Sequence, residues 1–127
     1  PYLGGGFGHF YHYAPEPYEY PINRFTMETK RQLDVLDKHL ADNRYMIGDE
    51  YTIADIMIYP WFKQLLGGYK HSSGITAAEF LTVSQYSNAI AWAERIGARP
   101  AVQRGMTVCS FSGIAKPWLQ EDDAKKD

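Results

Sequence analysis

Tyr51-Thr52-Ile53-Ala54-Asp55-Ile56 is the stretch with the strongest local folding signal in this sequence of 127 residues. Thr52 and Asp55 have the spacing of a capping box, in which the hydroxyl accepts a first-turn backbone N–H and the carboxylate accepts the N–H of the cap residue. The negative charge of Asp55 also suits the positive end of the helix dipole. The stretch therefore predicts a helix that begins directly after Thr52, and it gives Asp55 a structural rather than a catalytic role.

The helix that follows this cap is apolar on nearly every side as far as Leu66. A helix of that kind is expected to run through the interior of a protein rather than along its surface. Pro60 removes one backbone hydrogen bond inside the helix and therefore predicts a kink at that point.

A longer amphipathic helix is predicted before the cap, from about Pro21 to Asp42. Its apolar residues recur every three or four positions, which makes one continuous stripe that faces a core. The stripe consists of Ile22, Phe25, Thr29, Leu33, Leu36 and Leu40. Arg24, Glu28 and Arg31 form a neighbouring polar stripe on the same helix.

Three further helices are predicted after the cap. Thr76 and Glu79 repeat the capping-box spacing ahead of a short helix, and a second helix covers about residues 85–96. The third helix begins at Pro100 and stops at Gly105. Strand-like alternation is absent from the whole sequence, so the predicted fold class is all-α.

The first 21 residues have no sustained period and are rich in glycine, proline and aromatic residues. Glycine occupies four of the five positions from residue 4 to residue 8, and it loses more backbone entropy on ordering than any other residue. This segment is therefore predicted to be a loop or a broken helix. The chain also starts at Pro1 without a methionine or a signal peptide, and we expect it to be part of a longer polypeptide.

The loss of helical periodicity after Gly105 sets the expected domain organisation. We expect a helical domain over residues 1–105 and an extended C-terminal arm over residues 106–127. The arm ends in a charged run that is typical of a frayed terminus.

The composition limits the class of protein to which the chain can belong. Apolar residues make up 45% of it and the formal net charge is -2, which excludes a disordered chain and argues against a nucleic-acid binder. No apolar stretch approaches the roughly 20 residues that a membrane-spanning helix needs, so no membrane partner is expected. The single cysteine, Cys109, excludes an intrachain disulfide and fits a reducing compartment.

His9 and His12 are candidates for a metal site, because their spacing could place two imidazoles on one helical face. A third ligand is missing before Glu16, so packing of these histidines at an interface is the better interpretation. Cys109 lacks the helix N-terminus or close cation that activates a catalytic thiol. We therefore expect no metal site and no catalytic residue in this chain.

Arg24 is the best candidate for ligand binding that the spacing offers. It lies one turn into the long helix, directly after the segment rich in aromatic residues and proline. A guanidinium matches a carboxylate in bidentate geometry, which suits the recognition of an anion. The alternative is a solvated surface pair with Glu28, four residues further on, and spacing alone favours that alternative.

Several motifs point to one family. Gly48-Asp49-Glu50-Tyr51-Thr52-Ile53-Ala54-Asp55-Ile56 resembles the capping-box motif of the glutathione transferase C-terminal domain, and Arg99-Pro100-Ala101-Val102 resembles the Arg-Pro signature near the end of that domain. Two further stretches are similar to the bacterial nu class of the same family. They are Gly4-Gly5-Gly6-Phe7-Gly8-His9-Phe10-Tyr11-His12-Tyr13-Ala14-Pro15 and Asn23-Arg24-Phe25-Thr26-Met27-Glu28.

The resemblance implies a glutathione transferase C-terminal-like helical bundle within a two-domain protein. A thioredoxin-like N-terminal domain, absent from this chain, would bind glutathione, and two such chains would form a cytoplasmic homodimer. Nu-class proteins favour glutathione-dependent disulfide reduction over conjugation, and they hold two glutathione molecules per site. The implied cosubstrate is therefore glutathione, and the implied substrate is a small disulfide or an electrophile.

Two residues of this chain take site roles from the resemblance. Arg24 matches the helical-domain arginine that contacts a glutathione carboxylate, which reverses the preference given above. Tyr2 matches a position that approaches the thiols. The aromatic stretch from Phe7 to Tyr13 would line the site or the dimer contact, whereas the groups that stabilise the thiolate would belong to the N-terminal domain.

We therefore expect the helical domain of a glutathione-dependent disulfide-bond reductase or glutathione transferase, which contributes the cosubstrate wall and the dimer surface. The chain alone is expected to be inactive. Two alternatives stay open: a non-enzymatic helical scaffold, because the same domain has that use in unrelated proteins, and an inactive truncated product. A thioredoxin-like βαβ pattern upstream of Pro1 would favour the enzyme.

Overall fold

The computed structural model describes residues 2–108 of the chain. Within that range the chain forms a π-helix, five α-helices and a 3₁₀ turn, and it contains no β-strand. The elements are the π-helix Tyr2–Tyr13, α1 (Glu19–Asp42), α2 (Ile53–Gly67), α3 (Ala77–Leu81), the 3₁₀ turn Val83–Gln85, α4 (Ser87–Gly97) and α5 (Pro100–Gly105). The predicted all-α fold class is confirmed.

The chain divides into two compact units, the first ending at Ala93 and the second beginning at Glu94. Cys109 and most of the predicted C-terminal arm fall on residues 109–127, which lie outside the described part of the chain. The domain boundary at residue 105 therefore stays a prediction. Between residues 2 and 108, no helix has both the length and the apolar character needed to cross a membrane.

Asp55 lies in the core of the first unit, and its side chain is completely buried. Its carboxylate accepts the backbone N–H groups of Thr52 and Met46 at 3.0 Å each, the hydroxyl of Thr52 at 3.4 Å, and Nε1–H of Trp92 at 2.8 Å. Thr52 Oγ1 accepts the N–H of Ala54, which completes the predicted capping box. Burial by itself raises the pKa of Asp55, but these hydrogen bonds outweigh it, and the pKa is lowered. The carboxylate therefore stays ionised inside the core at neutral pH.

The indole of Trp92 packs beside this carboxylate. Its ring is completely buried and lies edge-on to the rings of Tyr59 and Phe62 from α2, with ring centroids 6.2 and 6.0 Å apart. Edge-to-face contacts of this kind stabilise beyond the apolar area that they bury. α2 and α4 are therefore joined both by ring packing and by the hydrogen bond to Asp55.

α1 provides the N-terminal cap of α4. One carboxylate oxygen of Asp37 accepts the backbone N–H groups of Asn88 and Ala89 at 2.9 Å each. These N–H groups belong to the first turn of α4, where a helix has no internal partner for them. The apolar stripe of α1 faces the core, as predicted. Its buried members are Ile22, Thr29, Leu33 and Leu40.

The remaining helix boundaries agree closely with the sequence. α1 ends at Asp42, as predicted, but it begins at Glu19, two residues before Pro21. Thr76 and Glu79 form the second predicted capping box, at the start of α3. Local signals therefore define these helix ends.

The prediction of a loop or a broken helix is wrong for residues 2–13, which form a continuous π-helix, and it is confirmed for residues 14–18, which connect that helix to α1 without helical structure. Close packing explains the glycines at positions 6 and 8. A Cβ atom on Gly6 would overlap the ring of Phe25, and a Cβ atom on Gly8 would lie 2.6 Å from the ring of Tyr69. The two glycines let these aromatic rings reach the helix backbone. The apolar burial that results offsets the backbone entropy that glycine loses on folding.

The prediction that α2 runs through the interior is also wrong. Its buried residues are Asp55, Tyr59, Phe62 and Leu65. Its exposed apolar residues, with 38% to 73% of their surface accessible, are Ile53, Ile56, Met57, Trp61 and Leu66. Residues 2–108 therefore bury one side of α2 and leave other apolar side chains of the helix accessible.

Replacement of Asp55 by alanine should lower the free energy of unfolding by about 3 kcal/mol or more. The change removes the acceptor of all four hydrogen bonds, and a hydrogen bond to a charged group contributes about 1.5–3 kcal/mol. Asp49→Ala is the control, because Asp49 is exposed and its loss should change the free energy by less than about 0.5 kcal/mol. Urea denaturation followed by circular dichroism measures both values. Equal stability of the two variants would contradict the role given to Asp55.

Replacement of Gly6 by alanine should destabilise the chain by about 1–3 kcal/mol, because the new methyl group overlaps the ring of Phe25. Gly5→Ala is a matched control in the same helix. A Cβ atom on Gly5 meets nothing within 4 Å, so this variant should be neutral or slightly more stable. Thermal unfolding compares the two, and a Gly6→Ala variant as stable as Gly5→Ala would mean that the ring does not constrain the helix.

Candidate functional site

Arg24 lies in the second turn of α1, and its side chain is exposed to solvent. Within the described residues its guanidinium makes no hydrogen bond and no ion pair. A guanidinium carries five N–H donors in a planar fork that matches a carboxylate. Arg24 is therefore available to bind an anion that approaches from solvent.

The surface pair between Arg24 and Glu28, which spacing alone favours, does not form. Glu28 is held instead by Arg31, whose Nε donates to Oε2 at 3.0 Å and whose Nη2 donates to Oε1 at 2.5 Å. Gln32 Nε2 donates a third hydrogen bond to Oε1 at 3.1 Å. The hydrogen bond with Arg31 is the main reason why the pKa of Glu28 falls to about 2, and Arg24 acts on it only through its charge. The carboxylate nearest to Arg24 along the stripe is thus already engaged.

Tyr2 lines an open groove of about 540 Å³. The start of the π-helix, the second half of α1 and α2 form this groove, and most of the side chains that line it are apolar. They include Tyr2, Arg31, Leu36, Met57 and Trp61. The rings of Tyr2 and Phe25 are 6.3 Å apart, so Tyr2 packs on α1 while 47% of its surface stays exposed.

The two predicted site residues, Tyr2 and Arg24, do not both line this groove. Tyr2 lines the groove together with Arg31, whereas Arg24 is not part of the lining. Arg24 and Arg31 are seven residues apart, which is two turns or ~10 Å along α1. Phe25, which follows Arg24 in the sequence, packs against the ring of Tyr2 and links the two positions.

The aromatic stretch from Phe7 to Tyr13 divides between the core and the surface. Phe7 and Tyr11 are buried, their rings stack at 4.9 Å, and both contact Phe80. The hydroxyl of Tyr11 donates to the carbonyl of Ile75 at 3.1 Å. Tyr13 is 66% exposed. The expectation that the stretch lines a site or a dimer contact is therefore wrong for Phe7 and Tyr11, and it stays a prediction for Tyr13.

Both histidines of the π-helix pack against neighbouring groups. Nδ1 of His12 lies 2.7 Å from the carbonyl oxygen of Lys70 and 3.2 Å from its backbone nitrogen. The ring of His9 lies edge-on to that of Phe10 at 5.0 Å. In residues 2–108, no three His, Cys, Asp or Glu side chains are close enough together to hold a metal ion.

Residues 19–95, from the start of α1 to near the end of α4, match the glutathione S-transferase C-terminal domain family. The chain belongs to this family. The matched region contains both capping boxes and the polar stripe of Arg24, Glu28 and Arg31, and it leaves Tyr2 outside. Of the two predicted site residues of this glutathione transferase domain, only Arg24 therefore lies within the family match.

Three relatives of this glutathione transferase domain are longer than the chain. It is 54% identical over 121 residues to the disulfide-bond oxidoreductase YghU of Escherichia coli, a match that covers 95% of this chain and 41% of the relative. The chain is also similar to the structure of glutathione transferase YghU from Streptococcus pneumoniae, complexed with glutathione. The two share 58% identity and a TM-score of 0.76, and the match covers 85% of this chain and 40% of that one. A glutathione transferase from Burkholderia graminis, with two glutathione molecules bound per subunit, has 33% identity and a TM-score of 0.76, covering 86% and 44%. The chain spans about two fifths of the length of the relatives that it matches.

Arg31 and Trp61 are the residues of this region whose surroundings the sequence does not reveal. Arg31 belongs to the predicted polar stripe. Its i+3 spacing from Glu28 is the signal that could have predicted their ion pair, but Arg24, at i+4 spacing from Glu28, is an equally acceptable partner. Trp61 belongs to a helix that is apolar all round, and nothing in that pattern distinguishes a buried face from a groove. Both residues line the groove in the structure.

Proposed function

We propose that this chain is the helical domain of a nu-class, glutathione-dependent disulfide-bond reductase or glutathione transferase, and that it forms the wall against which glutathione is held. The observation that carries the proposal is the exposed guanidinium of Arg24, which has no hydrogen-bonding partner among the described residues. The glutathione found in structures of relatives supports the choice of ligand.

Arg24 is assigned to a carboxylate of glutathione. Glutathione is a tripeptide with a carboxylate at each end, and a guanidinium fork holds a carboxylate through two parallel hydrogen bonds. The two turns of α1 between Arg24 and the groove, ~10 Å, match the length of an extended tripeptide. A molecule held at Arg24 can therefore reach towards Tyr2, which we assign to the thiol side of the site.

The proposed reaction is thiol–disulfide exchange. One glutathione thiolate attacks a sulfur of the substrate disulfide, which gives a mixed disulfide and releases one substrate thiolate. A second glutathione thiolate attacks the glutathione sulfur of the mixed disulfide, which gives glutathione disulfide and releases the other substrate thiolate. Two glutathione molecules are oxidised, one substrate disulfide is reduced, and the two protons end on the substrate thiols. This chain would orient the glutathione through Arg24, and the thioredoxin-like domain would activate the thiol.

The apolar face of α2 and the adjoining groove are assigned to contact with the thioredoxin-like N-terminal domain. Met57 and Trp61 are 65% and 47% exposed, and contiguous apolar surface of this kind marks interaction sites. The greater length of the relatives supports a further domain in the complete polypeptide. A cytoplasmic homodimer completes the proposal, and the single cysteine of the sequence fits a reducing compartment.

Retention on immobilised glutathione separates the enzyme from a non-enzymatic scaffold. The complete polypeptide that carries this chain should be retained, and it should reduce a model disulfide at the expense of glutathione. The chain of 127 residues alone should do neither. A complete polypeptide that passes through the column would favour the scaffold.

In the complete polypeptide, Arg24→Ala should weaken glutathione binding by about 1.5–3 kcal/mol, the contribution of a hydrogen bond to a charged group. Lys38→Ala is the control, because Lys38 is an exposed cation on the same helix and its removal changes the net charge equally. Isothermal titration calorimetry measures both affinities. Unchanged affinity of a correctly folded Arg24→Ala variant would remove the role assigned to this residue.

Met57→Lys tests whether the groove is an interface between domains. In the complete polypeptide it should lower the free energy of unfolding by at least about 1 kcal/mol, because the new charge becomes buried without a partner. In the chain of 127 residues the same change should have almost no effect, since Met57 is 65% exposed there. Met27→Lys, at a 72% exposed position on α1 outside the groove lining, should have little effect in either protein. Equal effects of Met57→Lys in both proteins would argue against the interface.

A further inference from the structure

One carboxylate and two guanidinium groups share the polar stripe of α1. Glu28 follows Arg24 by four residues and precedes Arg31 by three, and side chains at both spacings can meet on a helix. Each arginine can therefore pair with Glu28, but one carboxylate cannot hold both in bidentate geometry. The choice of partner decides whether Arg24 keeps its donors free.

Glu28 pairs with Arg31 in the structure, and both of its oxygens are engaged. Nε of Arg31 donates to Oε2, and Nη2 of Arg31 and Nε2 of Gln32 donate to Oε1. Only 13% of the Glu28 side chain is exposed, against 64% of the Arg31 side chain. Three hydrogen bonds therefore fix the carboxylate on the side of Arg31, away from any pairing with Arg24.

We infer that Arg31 is a positioning residue: by holding Glu28, it keeps the guanidinium of Arg24 available for a carboxylate of glutathione. The inference rests on the proposed function, because it requires Arg24 to bind glutathione. A Glu28 without its partner would compete for the same donors as an intramolecular carboxylate, and the ligand would have to displace it. Arg31 therefore acts on the ligand through Glu28.

The contribution of this arrangement lies in binding rather than in stability. Exposed ion pairs on a helix stabilise a fold very little, because solvent screens them and both side chains lose conformational entropy. A weak ion pair is nevertheless sufficient to change how often the Arg24 guanidinium is free, because the ligand and Glu28 would compete for it. Removal of Arg31 should therefore affect glutathione affinity while leaving the fold intact, and alanine is a strong helix former.

Titration of the complete polypeptide with reduced glutathione tests the inference. Arg31→Ala should raise the Kd about two- to fivefold, as expected for competition by a surface pair. Adding Glu28→Gln to Arg31→Ala should restore the Kd to that of the unmodified protein, because no carboxylate then competes for Arg24. Adding Asp34→Asn instead restores the net charge but leaves Glu28 free, so this double variant should stay weak. The loss in Arg31→Ala should also shrink as sodium chloride is raised to about 0.5 M, because salt screens the competing pair.

Arg24→Ala, measured alongside, separates the inference from the proposed function. If Arg24→Ala leaves the Kd unchanged, Arg24 does not bind glutathione, and the proposed function and the inference are both overturned. If Arg24→Ala weakens binding while Arg31→Ala does not, only the positioning role is overturned. Failure of Glu28→Gln to rescue Arg31→Ala has the same meaning, since the effect of Arg31 would then be direct. Circular dichroism confirms that each variant keeps its helices.

Discussion

A single buried carboxylate holds together the first unit of the structure. The charge of Asp55 is stabilised by four hydrogen bonds from three parts of the chain: the cap of α2, the backbone at Met46 and the indole of Trp92. A buried charge is tolerated only when hydrogen bonds satisfy it fully, so the loss of one donor weakens the stabilisation that the other donors provide. The start of α2, the turn before it and the middle of α4 therefore have one common anchor.

Local signals account for most of the helix boundaries. The capping boxes at Thr52 and Thr76 are predictable because all of their atoms lie within four residues. The π-helix is not predictable in this way, because the reason for its glycines lies in rings such as those of Phe25 and Tyr69, which are distant in sequence. The cap of α4 is equally hidden, since its acceptor, Asp37, belongs to α1.

The candidate site, too, is only partly predictable from local sequence signals. Arg24 could be identified as a candidate from its place on the helix, but spacing alone favours a surface pair with Glu28, and it is the family resemblance that reverses this preference. Whether the guanidinium of Arg24 is free, however, depends on which arginine pairs with Glu28. The i+3 and i+4 spacings are equally acceptable on a helix, so the sequence does not decide between the two pairs. The exposed face of α2 is a different case: periodicity identifies apolar positions such as Met57 and Trp61, but it does not say whether the same chain covers them.

The cap that Asp37 gives to α4 has a consequence for the order of folding. α4 begins with a turn whose N–H groups are satisfied by a side chain about fifty residues earlier, so an isolated α4 lacks the interaction that defines its start. Short helices are marginal in water without such support. α4 should consequently become helical only once α1 is formed and close to it, which makes this helix a late and cooperative element rather than a seed for the rest of the domain.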